Sequence, residues 1–198
     1  MFKITWNSDI DKNAWRSLLD ESPTASYFQT PECYLFYEKL HFMKPFAIAI
    51  AKDNDRLKAL ICGYIIADGG KIKKYMSRRS IIPGGALIAN DCTDEELNYL
   101  LTKLSDKLKS EAIYTELRNY FDYSNKNEVF KRCGYDYHPH LNFHVATENV
   151  EMALKCLSST KRRDVKTSLK EVRVLLQNQI KKNYLNFMKY SQIYITLK

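Results

Sequence analysis

The stretch AIYTELRNYFDYSNKNEVFKRCGYDYHPHLNFHVATENVEMALKCLSSTKRRDVKTSLK, residues 112–170, carries the reading that decides the fold. Its opening alternates, with Ile113, Thr115 and Leu117 on one side and Tyr114 and Glu116 on the other, which predicts a strand ending at Arg118-Asn119. A short helix is predicted near Lys126 to Arg132, closed by Gly134 just past its C-terminus. Tyr135 to Val145 reads as a second extended run that Pro139 divides. Asn149 is then a natural N-cap for a helix with Val150, Ala153, Leu154 and Leu157 on one stripe. Ser158-Ser159-Thr160 opens a second, strongly basic helix beginning Lys161-Arg162-Arg163.

Working back toward the N-terminus, Phe2 to Thr5 reads as a strand, and Ser8 or Asp9 as the cap of a helix carrying Ile10, Ala14, Trp15, Leu18 and Leu19. Thr30-Pro31 supplies a cap followed by proline at the first helical position, starting a helix that runs to about Leu40. Phe46 to Ile50 and Leu57 to Ala67 read as strands joined by a turn at Asp53-Asn54-Asp55. Asp68-Gly69-Gly70 reads as a hairpin signal leading into a third strand, Ile72 to Ser77. Ile81 to Ile88 contains Pro83-Gly84-Gly85. Behind it, Thr93-x-x-Glu96 forms a capping box for a helix with Leu97, Leu100, Leu101, Leu104 and Leu108 at helical spacing. Past Lys170, Val172 to Leu176 reads as a strand, followed by a helix with Ile180, Tyr184 and Met188 in line and an extended end from Ile193 to Leu197.

The 198 residues suffice for one buried core with an appendage. No apolar run approaches bilayer-spanning length, and the first residues lack a signal-peptide pattern. A cytoplasmic protein is expected, peripheral at most to the inner membrane face. Five cysteines, odd in number and never in a C-x-x-C pair, argue for reduced thiols. The net charge of +8 is concentrated: from Lys155 onward eleven Lys and Arg face only Asp164 and Glu171. Such a field favours anionic partners, tRNA among them, although a solvated helix face has the same composition.

Taken together, Glu116-Leu117-Arg118-Asn119, Cys133-Gly134-Tyr135, Leu141-Asn142-Phe143, Ser158 to Arg163 and the earlier Phe28-Gln29-Thr30-Pro31 resemble the Fem-type aminoacyltransferases that build peptidoglycan cross-bridges. These are relatives of the GNAT-fold N-acyltransferases. The resemblance implies an α/β, GNAT-like mixed and mostly antiparallel sheet flanked by helices. It divides the chain into a first lobe over 1–147 and a basic connector with the incomplete start of a second lobe over 148–198. The implied activity is transfer of an aminoacyl or acyl group, from aminoacyl-tRNA or acyl-CoA, onto an amine of a peptidoglycan or glycan precursor. A separately encoded second lobe is an expected partner, and the chain alone is expected not to turn over. A non-catalytic module binding tRNA or another anion through its basic quarter is the alternative.

Four constellations are candidates for chemistry. Gly84 and Gly85 lie near the acceptor substrate if the resemblance holds; otherwise they join two strands. Lys161, Arg162, Arg163 and Lys166 sit at the start of a helix, where cationic side chains and free amides suit a phosphate-bearing ligand. On that helix Arg162, Lys166 and Lys170 share one face, and Val165, Leu169 and Val172 form the stripe expected to pack. Arg118, at a strand end and followed by Tyr120, Asp122 and Tyr123, is placed to bind a carboxylate or phosphate, or to pair with a nearby acid. His138 and His140 share a strand face beside Asp136 and His144, but Pro139 breaks that strand and no metal site is assigned. No general base or other catalytic residue can be named from the sequence.

Overall fold

The computed structural model describes residues 2–52, 56–141 and 149–177. Its contacts divide the chain into two compact units, residues 1–140 and 141–198.

The first unit is built on a sheet of β1 (Phe2–Trp6), β2 (Lys44–Lys52), β3 (Leu57–Ile66), β4 (Arg79–Pro83), β5 (Ala86–Ile88) and β6 (Tyr114–Arg118). The order is β1-β2-β3-β4-β6, with β5 beside β3. All pairs are antiparallel except β4 with β6, which run parallel, so the long excursion between them crosses over through a helix. Ala47, Ile48, Ala49, Ile50, Leu60 and Ile61 are fully buried on consecutive positions of β2 and β3, which requires cover on both faces of the sheet. On one face lie α1 (Lys12–Glu21) and α2 (Pro31–Glu38); on the other lies α4 (Asp94–Leu108).

These helices form where the sequence specifies caps. Thr30 caps α2, accepting from the Cys33 amide, and Thr93 with Glu96 closes the capping box of α4. Leu97, Leu100, Leu101 and Leu104 of α4 have no exposed surface, each worth about 1.5–3 kcal/mol of burial. The cap of α1 differs from expectation. Asn7 to Asp9 make a 3-10 turn with Asn7 at φ 49°, and Asp11 caps the helix by accepting from the Ala14 amide at 2.8 Å. Ile10 is buried from outside the helix.

The strand expected over Ile72 to Ser77 is a helix, α3 (Lys71–Met76). Gly69, at φ 81°, turns the chain and Gly70 stands at the N-cap. Lys-Ile-Lys-Lys-Tyr-Met is largely helix-forming, and ladder pairing starts only at Arg79, opposite Ile66. The third strand is therefore displaced to β4. The sixth begins at Tyr114, one residue later than the alternation suggests.

After β6 a 3-10 turn (Ser124–Lys126) feeds α5 (Asn127–Arg132). Gly134, at φ 83°, ends α5: its amide donates to Lys131 O, the Tyr135 amide donates to Phe130 O, and the two rings meet edge-on at 6.2 Å. The extended run expected over Tyr135 to Val145 forms no strand across 135–141, where Pro139 removes an amide, and the remainder lies outside the described residues.

The second unit contains α6 (Val150–Cys156), capped by Asn149, and α7 (Ser159–Gln177). The strand expected at Val172 to Leu176 is the last part of α7, where Glu, Leu and Gln sustain helix around two isolated valines. Val165 and Leu169 are exposed rather than packed. The turn at Asp53 to Asp55, His144, and the elements expected beyond Gln177 lie outside the described residues.

The centre of the sheet holds one irregularity. Between Tyr64↔Ile81 and Ile61↔Ala86, two residues of β3 (Cys62 and Gly63) face four on the opposite side (Ile82 to Gly85), so Gly84 and Gly85 bulge out of the ladder. Both have positive φ, 83° and 75°. A side-chain carbon on Gly84 would stand 2.6 Å from Ser26 Oγ, and one on Gly85 would overlap Asn119 Oδ1. Urea unfolding of Gly85→Ala is therefore expected to show a loss of about 1–3 kcal/mol from the backbone alone. By contrast, the fully buried Ser80 hydroxyl has no hydrogen-bond partner among the described residues. Ser80→Ala should leave stability unchanged or raise it by up to about 1 kcal/mol.

Candidate functional site

The bulge is held from two sides. Trp15 Nε1 donates to Gln29 O at 2.7 Å, and Ser26 donates through its amide and hydroxyl to Gln29 Oε1. The Gln29 side chain, so fixed, donates from Nε2 to Gly84 O and Gly85 O, both at 3.2 Å. From the other side Tyr123 donates to Gly84 O (3.1 Å) and Ala86 O (2.7 Å). Burial pushes the Tyr123 phenol up to about 12, which keeps it a donor. Ser22 Oγ donates to Ile88 O at 2.8 Å, covering the free edge of β5.

Gly84 and Gly85 are buried, and their carbonyls are engaged by these donors. Arg118 is their neighbour: its carbonyl accepts from the Gly84 amide at 3.0 Å. The Arg118 side chain takes the ordinary outcome foreseen for it, a two-pronged pair with Glu116, Nε to Oε1 at 2.8 Å and Nη2 to Oε2 at 3.3 Å. Lys161, Arg162, Arg163 and Lys166 lie in the second unit on the first turns of α7, all exposed, and the Ser158 hydroxyl accepts from the Lys161 amide at 3.3 Å.

Around Arg118 the sheet assembles a surface that spacing alone does not reveal. Tyr64, Ile81 and Glu116 are register partners across β3, β4 and β6, so they share one face. The face is the one covered by α2, because the Tyr64 ring packs on buried Tyr37 of α2 at 4.8 Å. Yet α2 packs mainly on β2 and β3, and Arg79, Glu116 and Arg118 on the further strands keep side-chain exposures of 26%, 42% and 47%. At the near border Phe28 meets Tyr120 edge-on at 5.5 Å. The result is an open shelf with an aromatic wall and a fixed Arg–Glu fork on its floor. Tyr120 belongs to the constellation expected around Arg118, whereas Tyr64 and Glu116 join it only in the structure; the alternation around Glu116 gives its face, but which strands flank it comes from register.

Arg118, seconded by the more distant Arg79, holds the Glu116 carboxyl below its usual range. It stays ionised near neutrality and is suited to attract a cationic amine rather than to take its proton. Desolvation raises the Tyr120 phenol, so it presents a neutral donor. Beneath the shelf, burial pushes Cys33 up to about 11 and raises Cys62 as well. Both remain thiols near neutrality, which denies the site a cysteine nucleophile.

A second locus bears on the donor. The N-terminus of α4 is closed by its own side chains: the Thr93 amide donates to Glu96 Oε2 at 2.8 Å, and Thr93 Oγ1 accepts from the Glu96 amide at 3.2 Å. Asp94 pairs with Lys126 at 2.6 Å, and Asp91 pairs with both Arg56 and Lys58 at 2.7 Å.

The fold is that of the GNAT acyltransferases. Similar solved structures include an acetyltransferase from Trypanosoma brucei, with 10% identity, a TM-score of 0.53, and 73% of this chain and 99% of that chain covered. Aminoglycoside N-acetyltransferase AAC(6')-Iy in complex with CoA gives 9% identity and a TM-score of 0.52, over 73% of this chain and 94% of that one. A transcriptional regulator from Bacillus halodurans C-125 gives 9% and 0.53, over 73% and 100%. No protein-family profile and no curated protein matches the sequence.

The fold thus raises coenzyme A as a donor, and the residues present do not fit it. A pyrophosphate needs free amides at the α4 N-terminus; here the capping box takes two of them, and Asp94, Glu95 and Glu96 put like charge at that position. Its lysine and arginine neighbours are already committed to Asp91 and Asp94. No step is assigned to coenzyme A.

The charge cluster at this end carries a pH signature. Lys58 first, and Arg56 second, hold Asp91 at about 2, below the ordinary 3.8. A depressed carboxyl stabilises the fold above its ordinary value and loses that contribution as pH falls through the folded one. Acid titration of Asp91→Asn is therefore expected to show a flatter stability curve between 3.8 and about 2 than the parent. Identical acid limbs would mean that the ladder is not formed.

Proposed function

We propose that this chain is the acceptor-binding lobe of a Fem-like N-acyltransferase, holding the amine of a peptidoglycan or glycan precursor for aminoacyl transfer. The observation that carries the proposal is the open shelf on a GNAT-type sheet, where aromatic rings border an ionised Glu116 locked by Arg118. Sugars and peptides stack on Phe28, Tyr64 and Tyr120, and Glu116 draws the acceptor ammonium to the floor. The contribution to rate is positioning of that amine against an activated carbonyl. Among the described residues the shelf has no base poised for its deprotonation, and the α4 terminus is unsuited to coenzyme A. Both favour aminoacyl-tRNA as donor and a second lobe that completes the site.

Titration with a uridine-diphosphate-linked muramyl pentapeptide, followed by nuclear magnetic resonance, tests the reading. Saturable shifts at the shelf are expected, and Glu116→Gln should weaken them roughly tenfold, the loss of one charge-assisted contact. Saturable shifts that Glu116→Gln leaves unaltered would move the acceptor elsewhere. Coenzyme A at millimolar concentration should not raise the melting temperature; a clear rise, or robust acetyl transfer by this chain alone, would restore a compact coenzyme A-dependent enzyme.

The alternative of an anion-binding module rests on α7, where Lys161, Arg162, Arg163 and Lys166 project exposed cations from consecutive turns. For that reading, retention on immobilised tRNA should fall with salt and disappear when these four are replaced by glutamine.

A further inference from the structure

One end of the sheet in the first unit is finished differently from the rest of its surface. Lys44 opens β2 opposite Ile65, Ile66 closes β3 opposite Arg79, and Arg79 pairs with Tyr114 at the start of β6. The register therefore brings the turn before β2, the α3 excursion and the turn before β6 to the same end. Each places large apolar side chains in solvent. On α3 Ile72, Tyr75 and Met76 fall at i, i+3 and i+4, one helical face, with exposures of 81%, 68% and 72%. Phe42 (67%) precedes β2 and Ile113 (60%) precedes β6.

The charge interleaved with these residues is mainly positive. Lys73 and Lys74 form no ion pair among the described residues, and Arg78 stacks over Tyr75 at 4.3 Å. Three acids at this end are already engaged: Asp68 with Arg79, Asp106 with Lys109, and Glu111 with both Lys44 and Lys107. Exposed Glu38 at the end of α2 forms no ion pair among the described residues, so what remains unpaired is mainly cationic, while the apolar side chains stand on separate projections rather than around one groove. That arrangement fits a flat, anionic, deformable surface better than a folded partner.

We propose that the α3 end of the first unit docks on an anionic lipid bilayer, with Ile72, Tyr75 and Met76 inserted at the headgroup level and Lys73 and Lys74 on the lipid phosphates. The proposal does not depend on the acceptor reading. Docking there leaves the shelf alongside the membrane, since its Arg79–Tyr114 border belongs to the same end.

Flotation of the full chain with phosphatidylglycerol–phosphatidylcholine vesicles tests the proposal. Binding is expected to these vesicles and not to pure phosphatidylcholine. Replacing Ile72, Tyr75 and Met76 with serine should abolish the binding, and binding that persists undiminished would overturn the proposal. Lys73→Gln with Lys74→Gln should lower partitioning roughly thirtyfold, at about 1 kcal/mol per cation near an anionic surface. All these side chains are in solvent, so circular dichroism should report an unchanged fold. Binding that survives the α3 substitutions but vanishes when Lys161, Arg162 and Arg163 become glutamine would transfer the role to α7 and overturn the proposal. So would a parent that ignores anionic vesicles, or a dimer in sedimentation that the α3 substitutions dissociate.

Discussion

The backbone carbonyls of Gly84, Gly85 and Ala86 sit inside the first unit without a strand to receive them, and the surrounding structure is arranged to supply donors. A buried carbonyl left unpaired costs more than an ordinary hydrogen bond contributes, so the bulge persists only because Gln29 and Tyr123 reach it. Each of those side chains is itself fixed: Gln29 through Ser26 and Trp15, Tyr123 by burial against Phe130. The first helices, the central strand and the turn after β6 are thus tied at one point. Glycine is required at both positions because the φ angles are positive and the space beside each is already filled.

The same bulge determines what the fold can do. It ends the pairing of β4 with β6 at Pro83↔Arg118 and turns β5 away, so the strands diverge. In this chain the point of divergence is filled by Asn119 and Tyr123, and the edge of β5 is capped by Ser22 and Thr24. What stays open is the face beyond α2, where Glu116 and Arg118 lock each other in place. On this GNAT-type scaffold the divergence is filled and α4 is capped by its own side chains.

Local chemistry made much of this visible in advance. Thr30-Pro31, the Thr93–Glu96 box, the leucines behind it and Gly134 each act within a turn or two of themselves, and short-range signals of that kind survive folding unchanged. Asp68-Gly69-Gly70 misled because a glycine pair is equally a hairpin turn and a helix entry; only the pairing of Ile66 with Arg79 decides between them. Val172 to Leu176 misled because two valines in a short window have no period strong enough to separate strand from helix.

By itself the sequence determined the caps of α2, α4 and α6, the strands β2, β3 and β6 to within a residue or two, the basic C-terminal quarter and the presence of a double glycine between β4 and β5. Tertiary structure alone decided what those glycines are for, because the donors that hold them, Gln29 and Tyr123, come from 55 and 39 residues away. It likewise decided that Tyr64, Glu116 and Arg118 share a surface. Residues on three strands meet through register, and register is set by which strands pair rather than by any spacing along the chain.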